Sequence, residues 1–378
     1  MKDLEDDMMQ QFGFGFDDGV PVLAPVLAPQ RKAPRKSVPV AKPRPLEAAS
    51  AQAPTPAPTP APVHDAATAA TAAPTSLETL ALQLEAHPDY RVLRRLVPRL
   101  HYALPPSADA PGDIARLLIL DTETTGLSHG RDKIMELALL RVDVDRATGQ
   151  PVGPVQVYDG LEDPGQPIPA DVQAITGIDD GMVRGQQLDT ARIAELLDGV
   201  DLIVAHNAGF DRPFVEARLP AFAAKAWACS FADIDWKGEG RGSSKLESLA
   251  LGLGLFYDAH RAEMDCHALL AVLQADLPAA KVTGLARLLA TAPTLRYRLQ
   301  ATGAPFEAKD ALKDRGYRWD ATQKVWHTRL DDAALLEAEA AWLKAQVYGQ
   351  RAARVQVETL DALVRYSGRA GVMDWRVL

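Results

Sequence analysis

The sequence predicts an α/β fold, a mixed sheet flanked by helices, between a disordered N-terminal tail and a small α+β C-terminal module. Three observations predict it. The run Leu117-Leu118-Ile119-Leu120 is wholly apolar, which reads as a strand buried on both faces. A second such run, Leu202-Ile203-Val204-Ala205, has the same character. Strand-like text comes first and then alternates with helical text, the order expected when helices cover the faces of a mixed sheet.

Length and composition bound the reading. At 378 residues the chain suggests two domains plus tails, and 47% hydrophobic residues with a mean hydropathy of -0.11 give ample material for a core. No run of eighteen apolar residues occurs, so no membrane span is expected. The opening Met1-Lys2-Asp3-Leu4-Glu5-Asp6-Asp7 lacks the apolar stretch of a secretory signal. Two cysteines, Cys229 and Cys266, fit a reducing cytoplasm better than a disulfide framework. The net charge of -9 is unevenly spread: residues 1–20 carry one Lys against six acidic side chains, and residues 281–378 carry sixteen Lys/Arg against eleven Asp/Glu. An acidic centre flanked by basic segments is compatible with a phosphate-bearing polymer.

Taken in order, residues 1–76 are expected to form an acidic tip and an Ala/Pro-rich linker. The linker's basic cluster, Arg31, Lys32, Arg35, Lys36, Lys42 and Arg44, reads as a solvated stretch or as a non-specific nucleic-acid tether. Phe12, Phe14 and Phe16 in the tip read either as a docking motif for a replication or repair protein or as an unspecific apolar tip. Residues 77–106 have the spacing of a helical preface, split by Pro88 and closed by Pro105 and Pro106. The main domain spans 114–280. Its strands are expected at 117–120, 133–142, 155–158 and 201–205, with helical pieces at 171–175, 190–197, 213–219, 245–252 and 265–273. Residues 281–378 are read as a helical connector over 284–299, then a helix, a hairpin carrying Trp319 and Trp326, and an amphipathic helix over 331–348. The tryptophans read as the core of this module ahead of a single-strand stacking surface.

The chemistry lies where strands end. Side chains alternate along a strand, so Asp121 and Glu123 point to one side, two unpaired carboxylates that repel each other and resist desolvation. A divalent metal is the simplest counter-charge. His206-Asn207-Ala208-Gly209-Phe210-Asp211 follows the apolar strand at 201–205, and His260-Arg261-Ala262-Glu263-Met264-Asp265 opens the domain's last helix. Both Asp211 and Asp265 stand where an α/β sheet collects its ligands. Oxygen-only ligands suit Mg²⁺ or Mn²⁺, and a pair of such ions is the recurrent device for phosphodiester hydrolysis. Histidine titrates near neutral pH, which makes His260 the candidate general base. Taken singly, Asp211 and Asp265 also fit helix N-caps, and His206 and His260 fit ordinary polar neighbours.

Together the three elements resemble the motifs of the DEDDh family of 3′–5′ exonucleases, including the proofreading epsilon subunit of bacterial DNA polymerase III. The resemblance covers about residues 114–280. It implies a ribonuclease H-like fold, two Mg²⁺ or Mn²⁺ ions held by Asp121, Glu123, Asp211 and Asp265, His260 as base, and nucleic-acid 3′ ends, DNA ahead of RNA, as substrate. It also implies contacts to the terminal nucleotide from Thr124, Thr125, Leu127, His206, Asn207 and Phe210, and from the segment Thr176-Gly177-Ile178. Arg131, Lys133, Arg212 and Arg261 are candidate phosphate neighbours. Two alternatives stay open: an exoribonuclease trimming RNA 3′ ends, since no motif reads the 2′-hydroxyl, and an exonuclease fold kept as a non-catalytic docking module.

Overall fold

The computed structural model describes residues 76–104 and 114–378. The acidic tip, the linker with its basic cluster, and Pro105-Pro106 lie outside the described residues. The chain divides into two units at His87/Pro88. In the first, the described residues form helix α1 (Leu77–Glu85), capped by the Ser76 hydroxyl, which accepts from the Thr79 N–H.

The second unit opens with two short strands, β1 (Arg94–Arg95) and β2 (His101–Tyr102), where a second helix was expected. Pro98 cannot occupy a helix interior, and open sheet edges nearby supply better partners. The Arg94 and Leu96 N–H groups donate to Gly254 and Phe256, and β2 pairs with Pro154 and Gly153. Leu96 and Tyr102 are thereby buried.

Next come β3 (Ile114–Thr124), β4 (Ile134–Asp145) and β5 (Pro151–Leu161), an antiparallel meander. Strand β5 is longer than the sequence suggested, because the proline and glycine at its start serve an edge rather than ending it. Helices α2 (Ala170–Thr176), α3 (Asp180–Val183) and α4 (Thr190–Leu197) lead to β6 (Leu202–Ala205). Helix α5 (Ala208–Arg218) follows, then β7 (Trp227–Cys229), α6 (Ser230–Asp233), α7 (Leu246–Gly252), β8 (Leu255–Phe256) and α8 (Ala262–Gln274). The sheet order is β2-β5-β4-β3-β6-β7, with β3, β6 and β7 parallel. This is a mixed sheet flanked by helices.

Strand β3 explains its own apolar run. Leu117 and Ile119 face a core shared with α7 and α8, whereas Leu118 and Leu120 face a second core built on α4 and α5. Both faces are covered, so no polar alternation survives. Cys229 and Cys266 are both buried and free. Among the described residues no helix is long and apolar enough to cross a membrane.

Helix α9 (Gly284–Thr291) leads into β9 (Arg296–Ala301), a strand where the helical connector was expected to continue. Arg296 to Ala301 pairs on both sides, which outweighs local helical spacing. Then follow α10 (Lys309–Asp314), β10 (Arg318–Asp320), β11 (Val325–Leu330) and α11 (Ala333–Trp342), which runs on as a π-helical turn, Leu343–Tyr348. Strands β12 (Arg354–Leu360) and β13 (Val372–Val377) complete an antiparallel sheet of order β10-β11-β9-β12-β13. One face of it packs on α10 and α11 through Leu299, Ala301, Leu312, Leu336, Val355 and Val357. Trp326 is half-buried against this core, but Trp319, on the edge strand, is 50% exposed, so the core reading fails for Trp319.

The connection between β12 and β13 fastens this module to the main sheet. The Trp227 N–H donates to the Ala362 carbonyl along the free edge of β7. Arg212 of α5 is fully buried and donates to the Ala362, Leu363 and Arg365 carbonyls and to Glu216. Arg212 is therefore a structural clamp and not a phosphate neighbour.

Candidate active site

The site forms where β3 and β6 end. Asp121 and Glu123 leave β3 on the side that α8 covers, and Asp265 sits in the first turn of α8. Oxygens of Asp121, Glu123 and Asp265 lie within 4.8 Å of one another. Asp211, in the first turn of α5, arrives from the other face of the sheet. It is 2% exposed, and its Oδ1 accepts from the Thr122 hydroxyl at 2.8 Å. The alternation of β3 thus sends Asp121 and Glu123 to one side and Thr122 to the other, where it holds Asp211.

Asp265 is fixed on both oxygens. Oδ1 accepts from the Tyr257 hydroxyl at 2.9 Å, and Oδ2 accepts from the His260 N–H at 2.8 Å and the Arg261 N–H at 3.2 Å. These bonds hold His260 in a left-handed turn at φ 65°, with its imidazole exposed beside the cluster. A non-glycine residue keeps that conformation only where its surroundings impose it.

Glu136 supports the same corner. It lies opposite Glu123 in β4, is fully buried, and accepts from Arg261 Nη2 at 2.6 Å and from the Ala262 N–H at 2.8 Å. Arg261 is thus engaged by Glu136, although its side chain remains 41% exposed. Glu136 and Tyr257 were missed in the sequence. For Glu136 a signal existed, one charged residue within the apolar stretch 134–140; the stretch holding Tyr257 has no readable period. Glu136→Gln keeps the shape but weakens charge-assisted bonds, so a loss of about 1–3 kcal/mol is expected in urea unfolding. Full stability in that variant would remove Glu136 from this role.

The six positions assigned to the terminal nucleotide divide by exposure. Thr124 and Thr125 are buried: the Thr124 hydroxyl donates to the Gly126 carbonyl, and the Thr125 hydroxyl accepts from the Lys133 N–H and Gln166. They shape the loop that follows the acidic pair. Leu127 and Phe210 are half-exposed. Asn207 stands at φ 78° as the residue before α5, a left-handed position that asparagine tolerates. His206 has neither ring nitrogen left for substrate. Its Nδ1 lies 2.7 Å from Ser230 Oγ and its Nε2 2.9 Å from the Ser244 carbonyl. A carbonyl only accepts, so Nε2 carries the proton and Nδ1 accepts from Ser230. Burial pushes the His206 pKa down to about 4, which keeps the ring neutral. Thr176 and Ile178 are buried too, and Ile178 packs with Met135, Ile168 and Val183.

The electrostatics follow from burial. Desolvation raises the Asp121 carboxyl well above the ordinary range, with the charges of Asp211, Asp265 and Glu123 adding to it. Burial likewise lifts Glu123 to about 8 and Asp211 to about 7, and raises Asp265. These all-oxygen, mutually repelling donors fit a hard divalent cation, the one ligand that would stabilise all of them as anions. In EDTA the folded protein should keep protons that the unfolded chain has already released. Stability is then fully present below the ordinary carboxylate range and falls as pH rises through about 7 and 8. Thermal midpoints between about pH 6.5 and 8 should show the decline, and excess Mn²⁺ should remove it. A flat profile in EDTA would contradict the charge reading.

Comparison with known proteins places this carboxylate cluster inside an exonuclease domain. Residues 118–273 match the RNase_T family, described as exonuclease. The chain is 34% identical over 158 residues to the DNA polymerase III subunit epsilon of Treponema pallidum, covering 38% of this chain and 68% of that protein. It is 36% identical over 116 residues to a DNA polymerase III subunit epsilon-like protein of Rhodobacter capsulatus, covering 29% of this chain and 16% of that relative. A solved structure of Exonuclease X with 5′ overhanging duplex DNA matches at 25% identity and a TM-score of 0.32, covering 45% of this chain and 99% of that one. The chain belongs to the exonuclease family that includes the DNA polymerase III epsilon subunit.

Proposed function

We propose that the protein is a 3′–5′ exonuclease acting on single-stranded or frayed DNA ends, with Asp121, Glu123, Asp211 and Asp265 holding two Mg²⁺ or Mn²⁺ ions. The observation that carries this reading is the convergence of Asp121, Glu123 and Asp265 from β3 and α8, with Asp211 of α5 close enough for its charge to act on Asp121. Bound there, the ions would supply charge stabilisation to the scissile phosphate. The chain's own groups do the rest. Thr122 holds Asp211 in place, and Tyr257 with the His260 and Arg261 N–H groups holds Asp265. His260 stands exposed at the rim, where its imidazole takes a proton from the attacking water. Leu127 and Phe210 offer the half-exposed apolar surface for the terminal base.

His260→Ala should lower turnover by about 10²–10⁴ while Mn²⁺ still raises the thermal midpoint. Unchanged turnover would remove His260 from the mechanism.

Substrate class is tested with matched 5′-labelled DNA and RNA strands in Mg²⁺. Faster stepwise shortening of DNA from its 3′ end supports the reading. Faster shortening of RNA would make the protein an exoribonuclease, and no shortening of either in Mg²⁺ or Mn²⁺ would favour a docking module.

A further inference from the structure

The C-terminal sheet has a second face, which its own helices do not cover. Residues opposite one another on paired strands share a face. The register therefore lines up Arg318, His327, Gln300, Gln356 and Trp375 in one row across all the strands, and Arg329, Arg298, Glu358 and Met373 in the next. The helices pack on the other face. This second face bears Arg296, Arg298, Arg318, Arg329 and Arg354 against Asp320 and Glu358. Arg318 and Arg329 make no ion pair among the described residues. Trp375 is 47% exposed and Met373 41%, and the Arg354 guanidinium lies 5.5 Å from the centre of the Trp375 ring.

The face is not isolated from the carboxylate centre. Arg296, Arg298 and Arg329 line a cleft of about 660 Å³ whose far wall includes His129 and Gly209. Gly209 lies in the first turn of α5, two residues before Asp211, and His129 follows the loop that β3 sends out after Asp121 and Glu123. Arginines interleaved with exposed aromatic and Met side chains fit one chemistry well: a strand of phosphates with unstacked bases. Within the cleft, Arg298 Nε is buried with no hydrogen-bond partner.

We propose that this face binds the single-stranded segment that runs back from the 3′ end, leading the strand into the carboxylate centre. The proposal rests on the nuclease reading for its direction, and on the sheet's own charge and aromatic surface for its ligand.

The test uses the full chain, with Arg318→Ala/Arg329→Ala and Trp375→Ala, all at exposed positions. Binding is read by fluorescence anisotropy with labelled oligothymidylate of about 20 nucleotides in EDTA, longer than the roughly 4–16 nucleotides that single-strand sites span. The double variant should reduce the slope of log affinity against log salt by about 1.4. Trp375→Ala should weaken binding by about tenfold or more. Turnover separates the two readings: both variants should raise KM on the long strand and leave cleavage of a thymidine dinucleotide unchanged. Unaltered affinity and KM in both variants would overturn the surface. A wild-type chain that cuts neither substrate yet binds the long strand through these residues would keep the surface and sink the nuclease reading. A dimer that the variants dissolve, with no strand bound, would assign the face to a second copy of the chain and overturn the proposal.

Discussion

Asp121→Ala is expected to abolish nuclease turnover, by roughly 10⁴-fold or more, the scale seen when one member of a catalytic unit is removed. The same change should make the metal-free protein more stable at neutral pH. Asp121 is half-buried among Asp211, Asp265, Glu123 and Glu136, so its ionisation costs the fold free energy, and alanine removes that cost. The two effects have opposite signs, which separates loss of function from loss of folding. Thermal unfolding in EDTA should give the variant a higher midpoint than wild type, and Mn²⁺ should raise it less. A variant that is inactive because it is unfolded would refute this account of the site's electrostatics.

The second large effect concerns Arg212. Its guanidinium is wholly buried, sits 5.2 Å from the Trp227 ring, and links α5 to the segment between β12 and β13, alongside the Arg369–Glu216 ion pair. Burial lowers the Arg212 pKa, so the charge is tolerated only because Glu216 and three carbonyls receive it. Arg212→Ala strands those acceptors and opens a void, and should cost about 3–5 kcal/mol in urea unfolding. Because Arg212 follows Asp211 on the same helical turn, turnover should fall as well. Arg212→Lys should recover little, since one ammonium cannot reproduce a planar fork. A stability change under about 1 kcal/mol would show that the module is held by other contacts.

Much of the site was legible because it is built from local rules. Asp121 and Glu123 share a side because strands alternate, and the apolar run before them betrayed the depth of β3. Asp211 follows the buried strand β6 and Asp265 stands in the first turn of a helix, so their places could be read without knowing the packing. What could not be read depends on partners distant in sequence. Arg94 and Arg95 became strand because β8 offered an edge, and β7 is too short to show a period. His206 looked like a ligand for substrate, but Ser230 and the Ser244 carbonyl, 24 and 38 residues away, take both its nitrogens. Trp319 and Trp326 read as core partners, yet Trp319 sits on an edge strand, packed against Trp326 but half exposed. A single-strand stacking surface was legible as the second reading of this module, but its extent was not: Arg354, Met373 and Trp375 lie on β12 and β13, and residues 351–378 gave no signal beyond their positive charge.

The central claim is that the carboxylate cluster is a divalent-metal nuclease centre. Its most direct test is a metal add-back on wild-type protein stripped with EDTA, following a 5′-labelled single DNA strand as Mn²⁺ is titrated. The account predicts no shortening before the metal is added, then a ladder of products receding from the 3′ end that grows with Mn²⁺. Shortening at full rate in EDTA would contradict it.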